Sequence, residues 1–214
     1  MGKAGSPLAR GLTTASSKRR EARSAAVQRI WTSAITIRGK EFCSIVNSHI
    51  RDDEPEVMIP LVKFVRTLNE FCCNENHVFP DGNTLYRGGG FDDKYRDFFC
   101  AGRQFRQPAF LPTSFEEKVV RKFMSRARAP KVLWKIHLDP YNHCRHVNLI
   151  EKSLIVDPHG DAAEDEYLFV PYSAFTVLSA SWNAGTFEDP HVIELLTAVD
   201  NKAKPEDLPL APWS

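Results

Sequence analysis

Apolar positions change rhythm partway along the chain, and the change divides it into two parts. Val57, Leu61, Phe64, Val65, Leu68, Phe71 and Cys72 recur at three- and four-residue spacing, which predicts an amphipathic helix laid against a core. Asp52-Asp53-Glu54-Pro55 supplies its start signal, with a proline near the first turn, where a missing N–H costs nothing. Residues 40–50 fit a shorter helix before it. Beyond Pro130 the rhythm becomes period 2 or continuously apolar, over 132–138, 144–150, 154–156, 166–170, 174–182 and 191–199. These read as strands joined mostly by short turns, so an antiparallel-rich β core follows an α-rich part.

The stretch between them is punctuated. Residues 74–83 are polar and end in the turn signal Pro80-Asp81-Gly82-Asn83. Thr84-Leu85-Tyr86-Arg87-Gly88-Gly89-Gly90 reads as a strand that ends in glycines, and 92–100 as a short amphipathic piece. Ser114 and Glu117 have the spacing of a capping box, ahead of a helical stripe through Phe115, Val119, Val120, Phe123 and Ala127. The last ten residues, 205–214, read as an extended segment docked by Leu208, Leu210 and Trp213.

A chain of 214 residues suits one domain with appendages. Residues 1–29 are rich in Ser, Ala, Gly and Arg with little to bury, so a disordered basic tail is expected there and the folded domain over 30–214. Lys3, Arg10, Lys18, Arg19, Arg20, Arg23 and Arg29 stand against Glu21 alone in the first thirty residues, a net of +6. The remainder holds 21 basic against 26 acidic residues, a net of −5, which gives the body no reason to bind nucleic acid. Five cysteines without regular spacing point to reduced thiols and an intracellular, cytoplasmic setting. Two targeting signals compete with that setting: Met1-Gly2-Lys3-Ala4-Gly5-Ser6 fits N-myristoylation, with membrane anchoring through Lys18-Arg19-Arg20, and the Arg- and Ser-rich composition also suits an organelle transit peptide.

Three places carry candidate chemistry. Arg87 before three glycines suits a phosphate or a carboxylate, which its planar fork grips in bidentate fashion where small residues let the ligand approach. Thr113-Ser114 puts two hydroxyls together where capping accounts for one. Glu164 and Glu166, two apart at the start of a strand, share a face, and Asp165 between them points to the other. His137, His143, Cys144 and His146 lack the paired spacing of a metal site, and Asp157-Pro158-His159-Gly160 has no nucleophile in an elbow, which leaves a serine-hydrolase reading with little behind it.

The order Tyr-Arg-Gly, aromatic-Leu-x-Thr-Ser, then Glu-x-Glu-x-Leu-Phe-x-Pro resembles the Arg-Ser-Glu class of mono-ADP-ribosyltransferases, over roughly residues 85–182. The resemblance implies an α/β fold of the α+β kind, with N-terminal helices packed on two antiparallel-rich sheets that form an NAD cleft. It implies NAD as co-substrate and a protein acceptor as partner. Arg87 would bind the pyrophosphate, with Gly88 keeping the approach open, and Thr113 and Ser114 would orient the nicotinamide ribose and the catalytic glutamate. Glu166 would be that glutamate and Glu164 would receive an acceptor arginine; the loop 157–163 falls where the family recognises its target. The family usually has Ser-Thr-Ser, and here Pro112 stands at the first serine, which helps position the catalytic glutamate. Either Thr113 or another donor substitutes for it, or turnover is weakened or lost. An NAD glycohydrolase and an inactive NAD- or protein-binding module are the rival readings.

Overall fold

Strand alternation sorts the apolar residues into two cores, one between two sheets and one between a sheet and a cap of helices. The computed structural model describes residues 7–33, 35–53, 55–73, 77–79, 82–141, 143–150 and 166–212. Three helices come first: α1 (Pro7–Thr32), α2 (Phe42–Asp52) and α3 (Pro55–Cys72), with the hairpin of β1 (Thr36–Ile37) and β2 (Lys40–Glu41) between α1 and α2. Then follow β3 (Thr84–Gly90), a 3₁₀ turn (Asp93–Phe98), β4 (Gln104–Gln107), β5 (Leu111–Thr113) and α4 (Glu117–Arg126). The strands β6 (Lys131–His137), β7 (Val147–Ile150), β8 (Glu166–Phe169), β9 (Ser173–Ser181) and β10 (His191–Thr197) complete the fold. Expected strands are found at five of the six places, and 154–156 lies outside the described residues.

One sheet has the order β3-β6-β10-β9-β4 and the other β5-β8-β7; all the pairings are antiparallel except β6 with β10. Phe105, Trp134, Ile136, Phe175 and Ile193 of the larger sheet meet Leu111, Val147, Tyr167 and Phe169 of the smaller one to form the first core. The opposite face of the smaller sheet, through Ile150 and Leu168, packs on Val27 and Trp31 of α1, Val46 and Ile50 of α2, and Leu68 and Cys72 of α3. The helical cap therefore covers the smaller sheet alone, while α4 lies along β3 and β6.

Three expectations need correction. The segment expected to be a disordered tail over 1–29 is helical from Pro7, and its end is part of the core: Val27 and Trp31 are buried, four residues apart on one face. Ser114 does not cap α4. It is paired with Tyr86 by two backbone hydrogen bonds of 2.7 and 2.9 Å, which holds it in extended backbone, and Glu116 occupies the N-cap position instead. Leu210 is exposed rather than docked; what holds the C-terminal segment is backbone pairing of Arg106 with Pro209 and Ala211. The buried Arg106 guanidinium adds hydrogen bonds to the carbonyls of Tyr172, Asn201, Lys204 and Pro205. Trp213 and Met1–Ser6 lie outside the described residues. Among the described residues no helix is long and apolar enough to cross a membrane.

Candidate functional site

The two sheets are stitched together where Tyr86 pairs with Ser114, just beyond the end of β5. That bridge carries Arg87 across the seam, and its Nη1 donates to the Pro112 carbonyl at 2.8 Å. From the smaller sheet Glu166 opens β8, and since side chains two apart share a face, it points with Leu168 toward the helices while Tyr167 and Phe169 enter the inter-sheet core. Helix α1 meets it there: Trp31 Nε1 donates to Glu166 Oε1 at 2.8 Å.

Electrostatics mark the same cluster. Burial pushes the Arg87 guanidinium below its ordinary value, the Glu166 charge opposes that, and Arg51 at the end of α2 reinforces it. Two guanidiniums and a carboxylate thus sit within each other's field. Arg51 Nε is buried without a hydrogen-bond partner, an uncommon state for a strong donor. Burial, then Glu41 and Glu166, push the Cys43 thiol up to about 11, and burial, Cys73 and Glu166 raise Cys72. Both remain thiols near neutral pH and serve as packing at the edge of the cluster.

Arg87 and Glu166 are brought together, and the other residues expected in the site are distributed differently. Thr113 faces away from the cluster, between the sheets, where its hydroxyl donates to the Tyr167 carbonyl at 2.7 Å and ties β5 to β8. Ser114 contributes through its backbone bridge, and its Oγ accepts from the Glu116 N–H at 3.2 Å. Gly88 is required by α4: a Cβ there would stand 2.3 Å from the Val120 carbonyl oxygen. Gly89, on the face of Arg87, has open space, so close approach to the strand belongs there. Glu164 and the loop 157–163 lie outside the described residues. Trp31 and Arg51 carry no sequence signal for this role, one standing in a basic segment and the other at the head of a charged turn.

Other features are accounted for elsewhere. His146 Nε2 donates to the Ala198 carbonyl at 2.6 Å and its Nδ1 lies 3.1 Å from Ser173 Oγ, while His137 meets Glu194 at 3.3 Å. Among the described residues no cluster of His, Cys, Asp and Glu is arranged to hold a metal. A hollow of about 530 Å³ lined by Arg96, Phe99, Cys100 and Trp182, and one of about 360 Å³ lined by Arg19, Arg20, Arg23 and Glu70, both lie apart from Glu166.

Neither family models nor curated proteins match this sequence. Solved structures do. The Vis toxin of Vibrio splendidus, an ADP-ribosyltransferase solved in complex with agmatine, superposes with a TM-score of 0.60 at 15% identity, covering 97% of this chain and 90% of that one. The ADP-ribosyltransferase HopU1 of Pseudomonas syringae gives 0.56 at 17%, over 82% of this chain and 76% of that one. The catalytic domain of VsdC from Aeromonas hydrophila gives 0.53 at 18%, over 82% of this chain and all of that domain. The mixed α+β fold described above, with its helices and antiparallel-rich sheets, is the fold of these ADP-ribosyltransferases.

Proposed function

We propose that the protein is a mono-ADP-ribosyltransferase that takes ADP-ribose from NAD, releases nicotinamide, and places the ADP-ribose on a protein side chain, arginine being the favoured acceptor. The observation that carries this reading is the meeting of Arg87 with Glu166 at the seam between two sheets of that fold. In this reading Arg87 and Arg51 bind the pyrophosphate, whose two negative charges answer the like charge of the guanidiniums and the unpaired Arg51 Nε. The bond from ribose C1′ to the nicotinamide nitrogen breaks, and nicotinamide leaves with the electron pair. Positive charge develops on the ribose, and the Glu166 carboxylate stabilises it, as carboxylates do in glycoside cleavage. A guanidino nitrogen of the acceptor then attacks C1′ and gives up a proton, which Glu164, two residues upstream, is the group to receive. Support for a guanidine acceptor comes from that Glu-x-Glu spacing and from agmatine, itself a guanidine, in the Vis structure.

Purified protein incubated with labelled NAD, agmatine and a mixture of proteins tests the reading. The expected result is nicotinamide release with label on agmatine and protein, reduced about 100- to 1000-fold by Glu166→Gln. Nicotinamide release without acceptor labelling would make the protein an NAD glycohydrolase. NAD binding with no release would make it a binding module.

A further inference from the structure

Of the strand positions around Glu166, two carry no side-chain donor, while Ser114, one step past the end of β5 in the same register, has a hydroxyl whose Oγ accepts from the Glu116 N–H. On β7, Ile150 stands directly opposite, fully buried and apolar. On β5, Pro112 lies on the carboxylate's side, since it pairs with Leu168 and Leu168 shares the face of Glu166. Proline has no N–H and no polar side chain, and its carbonyl is engaged by Arg87. The Thr113 hydroxyl is spent on the Tyr167 carbonyl. A hydrogen bond arrives from a helix 135 residues away in sequence, from Trp31 Nε1 at 2.8 Å.

Trp31 is built to hold still. It is 2% exposed and its ring lies 5.1 Å from that of Phe110 at 59°. Phe110 is itself fixed by α2: Asn47 Nδ2 donates to the Phe110 carbonyl at 3.0 Å, and Asn47 Oδ1 accepts from the Phe110 N–H at 3.1 Å. An indole N–H is a single, directional donor that cannot ionise in the working range of an enzyme.

We propose that Trp31 is the positioning residue of Glu166, holding one carboxylate oxygen from the helix side so that the group is presented to the ribose of NAD, a task that Pro112 leaves open. The inference rests on the reading of the site as an NAD-cleaving one. It makes the end of α1 part of the working site. Among the described residues, the charged and titratable groups in the field of Glu166 include Cys43 and Arg51 from α2, Cys72 from α3 and Arg87 from β3, with Glu164 and Asp165 adjoining it in sequence outside the described residues. Near neutral pH the two thiols are uncharged and the two guanidiniums charged, so none of these four changes state as the carboxylate titrates.

Two measurements test the inference together. In ¹⁵N-labelled protein the Trp31 indole resonance is expected to move on Glu166→Gln, an experiment that needs neither turnover nor a change in the core. In kinetics, Trp31→Phe is expected to lower kcat about tenfold, keep KM for NAD within about twofold, and move the acid limb of kcat to higher pH, since a carboxylate that loses a donor becomes more basic. An indole resonance indifferent to Glu166→Gln overturns the inference. So does a Trp31→Phe enzyme with unchanged or raised kcat, or one with raised KM and an unchanged acid limb, which is the mark of a structural role. A wild-type chain that cleaves no NAD overturns the proposed function, and the positioning role with it; a wild-type chain that turns over while Trp31→Phe is silent overturns the positioning role alone.

Discussion

Strand β8 has two faces a single residue apart, and they solve opposite problems. Tyr167 and Phe169 enter a core in which ring meets ring, with Phe169 at 5.3 Å from Phe175 and 5.8 Å from His146. Glu166 and Leu168 face the helices, where the core gives way at its edge to a carboxylate, two guanidiniums, an indole N–H and two thiols. The first face gains from complementarity of shape. The second holds like charges and an unpaired donor that a purely structural design would remove, an arrangement that fits the proposed NAD site.

The sharpest way to break this contrast is to exchange the two effects. Phe169→Ala is expected to cost about 3–5 kcal/mol of stability by denaturant unfolding. Glu166→Gln is expected to leave the unfolding midpoint nearly in place while removing turnover. A stable Phe169→Ala protein, or an unfolded Glu166→Gln one, would put the load-carrying face on the wrong side. Next in size is a pH effect on the core face. Burial holds His146 down at about 4 against 6.5 when exposed, so the unfolded chain binds the extra proton between those values. Stability is therefore complete above about pH 6.5 and falls as pH drops toward 4, by roughly 3 kcal/mol over the window. His146→Gln should flatten that slope in unfolding curves recorded across the range.

Smaller effects sharpen the other face. Arg51→Met is expected to raise KM for NAD about tenfold, the worth of one charge-assisted contact, with no loss in melting temperature because an unsatisfied buried donor goes with it. The glycine pair spans a comparable effect and the smallest one. Gly88→Ala pushes a methyl into the Val120 carbonyl and should cost about 1–3 kcal/mol, whereas Gly89→Ala should stay within about 0.5 kcal/mol and show itself, if at all, in KM.

These residues also show where the sequence was readable. The stripe from Leu61 to Cys72 and the alternation along β10 report burial directly, because a core face repeats at the period of its own element, while β6 and β8 announce themselves as continuous apolar runs. Among the described side chains of helix α1, Val27 and Trp31 at its end are the buried ones, too few to stand out from a basic background. The capping box at Ser114 was a sound local signal that a longer-range bridge to Tyr86 displaced. Gly88 and Gly89 are identical in sequence, and only the helix packed on one side tells them apart. Arg87 and Glu166 could be chosen because residue type and order both pointed to them. Trp31 and Arg51 could not, since their partners lie far along the chain and nothing local marks them.

The grip of Arg106 on the C-terminal segment has a consequence for how copies of the chain behave toward one another. Strand β4 ends its sheet, and an end strand offers bare N–H and C=O groups to any other extended chain. Here that border is already occupied, by Pro209 and Ala211 on the backbone of Arg106, with the guanidinium clasping the turn that delivers them. The last few residues thus act as a built-in stopper against strand-by-strand aggregation. A chain cut before Pro205, or carrying Arg106→Ala, should keep its cores and yet self-associate as concentration rises, which light scattering would reveal.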